Sequence, residues 1–178
     1  MYLGLQSLIY YALVAWLPVI IQSKGMDPSE AGMVSSVFMV LGIAGSLFLP
    51  VIIGRRTDIR AIGASIGVAY VVGLVLLIYA SGSYISLTGP ILLCGLCGGA
   101  CITYPSMLFG LRTRNSGDSS SVSGIAQSVG YVVAAFGPVT VGSIYDTTTD
   151  WGLGLAPLVC VALSLIVFGY LIGRDISI

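Results

Sequence analysis

Long apolar stretches separated by short polar segments run along the whole chain. Each stretch contains about 20 residues, the length that an α-helix needs to cross the hydrocarbon core of a bilayer. The pattern predicts six transmembrane helices, α1 to α6, at residues 2–22, 29–53, 61–80, 86–111, 122–145 and 153–172. The predicted fold class is therefore an all-α membrane protein.

The first helix carries polar side chains that a purely lipid-facing helix does not need. Within 5–18, LQSLIYYALVAWLP, Gln6 and Tyr10 are four residues apart and share a helix face, with Ser7 and Tyr11 beside them. A polar group without a partner is unfavourable in hydrocarbon, so this face is expected to look into the protein interior or a water-filled cavity. An interfacial aromatic belt with polar groups between helices is the alternative, and it stays open.

Polar connections and prolines interrupt the apolar pattern. In the first connection, SKGMDPSE, Asp27 or Ser29 is the expected N-cap of α2, and Pro28 is its candidate first helical residue. The segments RTRNSGDSSS and DTTTDW are expected to be loops. Pro105 is expected to interrupt α4, and Gly137–Pro138 to interrupt α5. Such interruptions either shape helix packing alone or mark a transport pathway.

Composition identifies these helices as parts of an integral membrane protein. Of the 178 residues, 57% are hydrophobic and 8% are charged, whereas a soluble domain carries about 25% charged residues. The formal net charge is zero, so no basic face for nucleic acid is expected. The first helix lacks the basic flank and the small-residue cleavage site of a signal peptide.

Three cysteines lie at helical spacing in α4 and could suggest metal or redox chemistry. Cys94, Cys97 and Cys101 stand within LLCGLCGGACITY, but the chain contains no histidine and no acidic residue nearby. Burial in apolar surroundings also makes thiols inert. We interpret these cysteines as small packing residues, and we predict no metal, no cofactor and no enzymatic activity.

The distribution of Lys and Arg predicts the orientation in the membrane. Six of the seven lie in the α2–α3 connection, the α4–α5 connection and the C-terminal tail, and only Lys24 lies on the opposite side. Cytoplasmic loops carry the excess of Lys and Arg in membrane proteins. Both termini are therefore predicted to be cytoplasmic.

The α2–α3 connection, GRRTDIR, resembles a loop of the major facilitator superfamily. In each half of these transporters, the loop between the second and third helices has the pattern G-x-x-x-D-x-x-x-R/K. Gly54 and Asp58 match this pattern, whereas Ile59 stands where a basic residue follows the aspartate. Basic character comes from three arginines: Arg55, Arg56 and Arg60.

A second resemblance lies in α5, where GYVVAAFGPVTVG is similar to the glycine–proline motif of the fifth or eleventh helix of the superfamily. The order of segments from GLQSLIYYALVAWLP through LFGLRTRN to SGIAQSVGYVVAAFGP looks most like the cyanate and nitroimidazole porter branch. The resemblance is to helices seven to twelve, which form the C-terminal half of these twelve-helix transporters. We therefore expect the chain to be part of a longer protein of the bacterial inner membrane.

The resemblance implies a secondary transporter with a central site shared between two six-helix bundles. The single bundle, 1–178, would contain two three-helix units of inverted topology, 1–81 and 86–173. By this analogy α1, α2, α4 and α5 border the cavity, while α3 and α6 are peripheral. The expected partners are a small solute, the lipid bilayer, and either the missing N-terminal half or a second copy.

The candidate site combines neutral hydrogen-bonding groups with aromatic rings. The predicted spans contain no Asp, Lys, Arg or His, and their one Glu, Glu30, lies at the very start of α2, so this half offers no obvious proton relay. Amides and phenols would meet a small anion or a planar polar solute by hydrogen bonding and stacking. The predicted substrate-binding residues are Gln6, Tyr10, Tyr11, Tyr104, Gln127 and Tyr131. The predicted gate residues are Gly54, Asp58, Arg112, Gly137 and Pro138, and for the loop arginines topology determination is the alternative.

Three other classes of membrane protein are alternatives to a transporter. A rhomboid-like protease needs a histidine, which the chain lacks, although SVSG near Ser123 looks faintly like a serine motif. An aquaporin-like channel needs paired NPA tripeptides, and none occurs. A non-transporting subunit or a channel-like homodimer stays open, because the polar face of a half-transporter could be buried in a two-fold interface.

Overall fold

A computed structural model of the chain describes residues 1–54, 59–112 and 116–173, without the side chains of 109–112 and 116–122. Within these ranges the chain forms six α-helices and no β-strand. The helices are α1 Tyr2–Ser23, α2 Pro28–Gly54, α3 Ile59–Tyr79, α4 Tyr84–Arg112, α5 Ser116–Thr148 and α6 Trp151–Ile172. By length and hydropathy all six could cross a membrane, which confirms the predicted number and type of elements.

Helix α5 is longer than its apolar pattern indicates. It contains 33 residues. The prediction of loops at 112–121 and 146–151 is therefore wrong at 116–121 and 146–148, which belong to α5, and at 112 and 151, which end α4 and begin α6. Hydropathy marks only the part of a helix that lies in hydrocarbon, whereas backbone hydrogen bonding continues where the side chains turn polar. Residues 113–115 of the first predicted loop lie outside the described residues.

The start of α2 is set by Asp27. Its carbonyl oxygen accepts the Ala31 N–H at 2.9 Å, and its own N–H donates to the Glu30 carboxylate at 3.3 Å. Pro28 is the first helical residue, where the missing N–H of proline costs no hydrogen bond. The prediction of Pro28 as the first helical residue is confirmed; of the two expected N-caps, Asp27 directly precedes the helix and Ser29 lies within it.

Six prolines lie inside the helices without ending them. The predicted interruptions are wrong, because α4 continues through Pro105 and α5 through Gly137–Pro138. Proline removes one backbone donor, but neighbouring helices tolerate this loss in a membrane bundle. The carbonyl that loses its helical donor at Pro138 is that of Ala134, four residues earlier. Separately, Trp16 Nε1 of α1 donates to the Pro138 carbonyl oxygen at 2.8 Å and ties α5 to α1.

Three helix pairs make the most extensive contacts: α1 with α5, α2 with α4, and α3 with α6. Helices α1 and α4 are the most deeply buried, and α1 also contacts α2, α4 and α6. A two-fold relation between the halves exchanges α1 with α4, α2 with α5 and α3 with α6. Under this exchange the contact of α1 with α5 becomes the contact of α4 with α2, and the contact of α3 with α6 is unchanged. This is the pairing that two inverted three-helix units require, while the division at 1–81 and 86–173 stays a prediction.

Glycines allow each of these three pairs to approach backbone to backbone. At the α2–α4 contact, a Cβ atom on Gly99 would overlap the Gly42 carbonyl oxygen. At the α3–α6 contact, a Cβ on Gly63 or on Gly169 would overlap the carbonyl oxygen of the other. At the α1–α5 contact, a Cβ on Gly137 would overlap a carbonyl oxygen of α1. Small residues permit this close packing where lipid provides no hydrophobic contrast between helices.

Lys24, just after α1, is tied to the C-terminal end of α3. Its Nζ donates to the carbonyl oxygens of Ala80 and Ile78 at 2.7 and 3.2 Å, where helix carbonyls lack intrahelical partners. Partial burial lowers the pKa of Lys24. We expect Lys24→Met to lower the free energy of unfolding by about 1 kcal/mol, because these carbonyls lose a charged donor.

Thermal unfolding in detergent measures this effect of Lys24. The matched variant Lys24→Arg keeps a charged donor and should retain most of the stability. An unchanged midpoint in Lys24→Met would show that the two hydrogen bonds contribute nothing.

Candidate aromatic solute site

Three tyrosines from α1 and α5 form an aromatic row on one side of the bundle. Tyr10 and Tyr11 contact edge to face, with ring centroids 5.7 Å apart and planes at 74°. Tyr11 contacts Tyr131 in the same manner, at 6.2 Å and 70°. The aromatic row, defined as Tyr10, Tyr11 and Tyr131, thus joins three of the predicted site residues from two helices.

The row continues onto α2 through Phe38. The rings of Tyr10 and Phe38 stack, with centroids 5.8 Å apart and planes at 25°. Phe38 was not among the predicted site residues, because a single apolar ring in an apolar helix carries no distinguishing signal. The side chain of Phe38 is only 1% exposed, so it packs against the side of the Tyr10 ring that faces the bundle interior.

The outer two rings of the row are accessible from outside the bundle. The side chain of Tyr11 is 42% exposed and that of Tyr131 is 50% exposed. An open pocket of about 380 Å³ lies beside them, and Ala134, Ala135 and Pro138 complete its lining. The two alanines were not predicted, yet their small size makes the room. The pocket therefore offers aromatic surface next to the proline of α5.

Gln6 lies inside the bundle rather than on the aromatic row. It is 1% exposed, and its Nε2 donates to Ser7 Oγ at 2.8 Å. Its Oε1 has no hydrogen-bond partner among the described residues. Each residue turns a helix by about 100°, so Tyr10 is displaced from Gln6 by about 40° and Tyr11 by about 140°. The sequence predicted one common face for these residues, but the Gln6 amide is buried and the Tyr11 ring is exposed.

Gln127 lies one helical turn before Tyr131 on α5. It is partly buried, and its Nε2 donates to Ser123 Oγ, one turn earlier, at 3.0 Å. The position is compatible with a place beside the aromatic row. The hydrogen bond of its amide is local to α5 and joins no other helix.

Tyr104 is separate from the row and joins three helices. It is fully buried in α4, and its hydroxyl lies 2.9 Å from the Ile59 carbonyl oxygen and 3.1 Å from that of Gly169. Those carbonyls belong to α3 and α6. These contacts favour a structural role, and we leave Tyr104 out of the proposed site.

The predicted gate residues fall into two groups. Gly54 is the last residue of α2, and Arg112 is the last residue of α4. The side chain of Arg112 lies outside the described part of the structure. Asp58 lies outside the described residues, as do Arg55 and Arg56. Two others, Gly137 and Pro138, lie where α5 packs on α1. Their part in gating stays a prediction.

The cysteines differ sharply in exposure. Cys94, Cys97 and Cys101 are buried in α4, and Cys101 Sγ lies 3.4 Å from the Tyr2 hydroxyl. Cys160 is exposed on the outer surface of α6. Within 1–54, 59–112 and 116–173, no cluster of His, Cys, Asp and Glu has the arrangement to hold a metal ion. The burial of the α4 thiols agrees with their interpretation as packing residues.

Six helices that are long and apolar enough to span a membrane, paired closely through glycines, define an integral membrane protein. The chain belongs to the Major Facilitator Superfamily, whose sequence model matches residues 1–138. This confirms the resemblance carried by the α2–α3 connection and the glycine–proline motif. No solved structure matches the chain significantly.

Three relatives are transporters or a permease by name. The chain is 34% identical over 98% of its length to "Uncharacterized transporter YycB" of Bacillus subtilis, covering 43% of that protein. It is 33% identical over 98% of its length to the "2-nitroimidazole transporter" of Escherichia coli, covering 44%. A third match, to a "Putative anionic 4-hydroxy-benzoate permease" of Thauera aromatica, extends over 77 residues with 43% identity. It covers 43% of this chain and 47% of that protein. The chain therefore spans less than half the length of these curated relatives.

Proposed function

We propose that the chain forms the C-terminal six-helix half of a secondary active transporter that moves a small polar or anionic solute by alternating access. The solute contacts the aromatic row, and the amide of Gln127, one turn before Tyr131, supplies a hydrogen bond. Gln6 is enclosed in the bundle and is left out of the proposed solute contacts. An N-terminal six-helix half completes the site. The bundle lies in a bacterial inner membrane with both termini cytoplasmic, as the positions of six of the seven Lys and Arg residues indicate.

The aromatic row carries this proposal. Its exposed rings and the adjoining pocket offer stacking surface and phenol hydroxyls but no charged group, which suits a planar solute better than a compact ion. The names of two relatives refer to planar ring compounds, 2-nitroimidazole and 4-hydroxybenzoate. We therefore propose a planar ring solute for this transporter.

The gate is proposed at the cytoplasmic ends of the helices. Gly54 permits a sharp exit from α2, and Asp58 provides a carboxylate that can pair with cations as the two halves rock. Arg112 ends α4 and is a candidate partner of opposite charge. Gly137 and Pro138 hold α5 against α1 while these ends move.

A self-associating subunit or channel-like homodimer is the second candidate. Its support is the unpartnered apolar surface of α2 and α5, where nine large apolar side chains of the described part are each more than 60% exposed, among them Val40, Leu47, Phe136 and Val139. A second copy could cover this surface as well as a different half could. Membership in a superfamily of transporters favours the first candidate.

The aromatic row is tested by removing one ring at a time from the whole transporter. Tyr11→Leu and Tyr131→Leu should each weaken binding of a planar anion such as 4-hydroxybenzoate about 3- to 10-fold, since each removes one stacking partner. Tyr170→Leu is the matched control, because Tyr170 is exposed on α6, away from the row. Equilibrium binding in detergent and uptake into proteoliposomes measure the effect.

Two outcomes would contradict this proposal. One is equal affinity in wild type and in both variants of the aromatic row. The other is an 18.4 kDa native protein that binds no solute and moves none across a membrane, which would favour the self-associating subunit.

A further inference from the structure

Tyr10 is the inner ring of the aromatic row and the point where the row meets two further helices. Tyr11 and Tyr131 line the open pocket, whereas Tyr10 is partly buried and lies outside that lining. The Tyr10 ring contacts Tyr11 edge to face and stacks on Phe38 of α2. The place of Tyr10 therefore determines what the exposed Tyr11 ring packs against.

Gly98 of α4 gives the Tyr10 ring room to lie directly against that helix. A Cβ atom on Gly98 would lie 2.9 Å from Tyr10 Cδ2 and 3.2 Å from Cε2, closer than the contact of about 3.5–4.0 Å that carbon atoms prefer. The hydroxyl of the fully buried Tyr70 of α3 lies 3.6 Å from the same position, so neighbouring helices enclose it. A side chain at position 98 would therefore displace the Tyr10 ring.

Gly98 and Phe38 belong to the closely packed pair of α2 and α4. A Cβ atom on Gly95, one turn before Gly98, would lie 2.9 Å from the Phe38 carbonyl oxygen, so the two backbones are close at this level. The rings of the aromatic row belong to the other pair, α1 and α5. Tyr10 is thus where the row on one helix pair packs against the other pair.

We propose that Gly98 and Phe38 are positioning residues of the solute site, which hold the Tyr10 ring and, through it, the ring of Tyr11. This inference rests on the proposed function, because it concerns the same aromatic row. Neither residue is among the described residues that line the pocket, so each acts through Tyr10 rather than by touching the solute. The energy of an aromatic pair depends on the distance and angle between its rings, so a displaced Tyr10 supports Tyr11 less well.

The test measures the dissociation constant of 4-hydroxybenzoate for the whole transporter in detergent. Gly98→Ala pushes the Tyr10 ring away from α4, and Phe38→Leu removes the ring on which Tyr10 stacks. Each should raise the dissociation constant about 3-fold, since one aromatic contact of the row is weakened. Gly32→Ala on α2 is the control, because a Cβ atom there has no heavy atom within 4 Å, and it should bind with wild-type affinity.

A double-mutant cycle separates positioning from a general loosening of the bundle. Tyr10→Ala removes the two ring atoms that Gly98→Ala would meet. Adding Gly98→Ala to Tyr10→Ala should therefore cause no further rise in the dissociation constant, whereas a loosened α2–α4 pair would raise it in both backgrounds. If Gly98→Ala does not fold, Phe38→Leu takes its place in the cycle. If Tyr10→Ala does not fold, the single variants and the Gly32→Ala control decide.

Three results would overturn the inference, and they differ from one another. Wild-type affinity in both Gly98→Ala and Phe38→Leu, with weaker binding by Tyr11→Leu, would leave the proposed function standing and remove the positioning role. A further rise in the Tyr10→Ala background would show that position 98 acts by a route other than Tyr10. Equal affinity in wild type and in both Tyr11→Leu and Tyr131→Leu would contradict the proposed function, and the inference with it.

Discussion

Gly99→Ala is expected to lower the free energy of unfolding by about 3 kcal/mol, the upper end of what overpacking costs. Gly99 lies where α4 crosses α2, and a methyl group there would overlap the Gly42 carbonyl oxygen. The same methyl group would lie 2.8 Å from the Ser46 backbone nitrogen. Because both obstacles are backbone atoms, no side-chain rotation can relieve them, and the helices must separate.

The matched control for Gly99→Ala is Gly32→Ala on α2. A Cβ atom on Gly32 would have no heavy atom within 4 Å, so alanine should raise stability by about 0.5–1 kcal/mol through its higher helix propensity. Unfolding by SDS in mixed micelles, followed by circular dichroism, measures both variants. If the two alanine variants unfold at the same SDS concentration, the backbone contact between α2 and α4 is not as close as the structure has it.

Tyr104→Ala is expected to lower the free energy of unfolding by about 3–5 kcal/mol, the cost of deleting a buried aromatic side chain. The ring is fully buried, and a Cβ on Gly63 would come within 2.5 Å of its hydroxyl oxygen, so the phenol fills the α3–α4–α6 junction closely. Tyr104→Phe keeps the ring and removes the hydroxyl that lies near two carbonyl oxygens. It should cost about 1 kcal/mol.

The two Tyr104 variants also separate structure from solute binding. In the whole transporter, Tyr104→Phe should bind solute with wild-type affinity, whereas Tyr11→Leu should bind it more weakly at nearly unchanged stability. Measuring the thermal midpoint and the solute dissociation constant on the same preparations gives both quantities. Weaker solute binding by Tyr104→Phe at wild-type stability would return Tyr104 to the candidate site.

The sequence sufficed for the helices because the membrane imposes a length and a composition on each of them. Their number follows from hydropathy alone, and the start of α2 follows from the order of Asp27 and Pro28. The polar ends of α5 could not be predicted for the same reason, since hydropathy identifies only the part of a helix that lies in hydrocarbon. Proline predicts an interruption because it lacks one backbone donor, but α5 continues through Pro138, since the loss of one hydrogen bond does not end a helix that is packed in a bundle.

The candidate site was only partly predictable, because helical spacing does not say which way a face points. Tyr10 and Tyr11 were expected together and lie together, but the join to Tyr131 depends on how α1 packs on α5. Gln6 and Tyr104 carry polar groups as the exposed rings do, yet both are buried in the bundle. Only the packing of neighbouring helices separates a phenol that joins helices from one that is open to a solute.

The unequal exposure of the cysteines makes the chain ready for spectroscopy without cysteine removal. Among the cysteines, only Cys160 is exposed, while the three thiols of α4 are enclosed by packed helices. A membrane-permeable maleimide carrying a spin label should therefore react once per folded chain, on α6. Distances between two such labels would report whether two copies of the chain meet, and through which side, in a lipid bilayer.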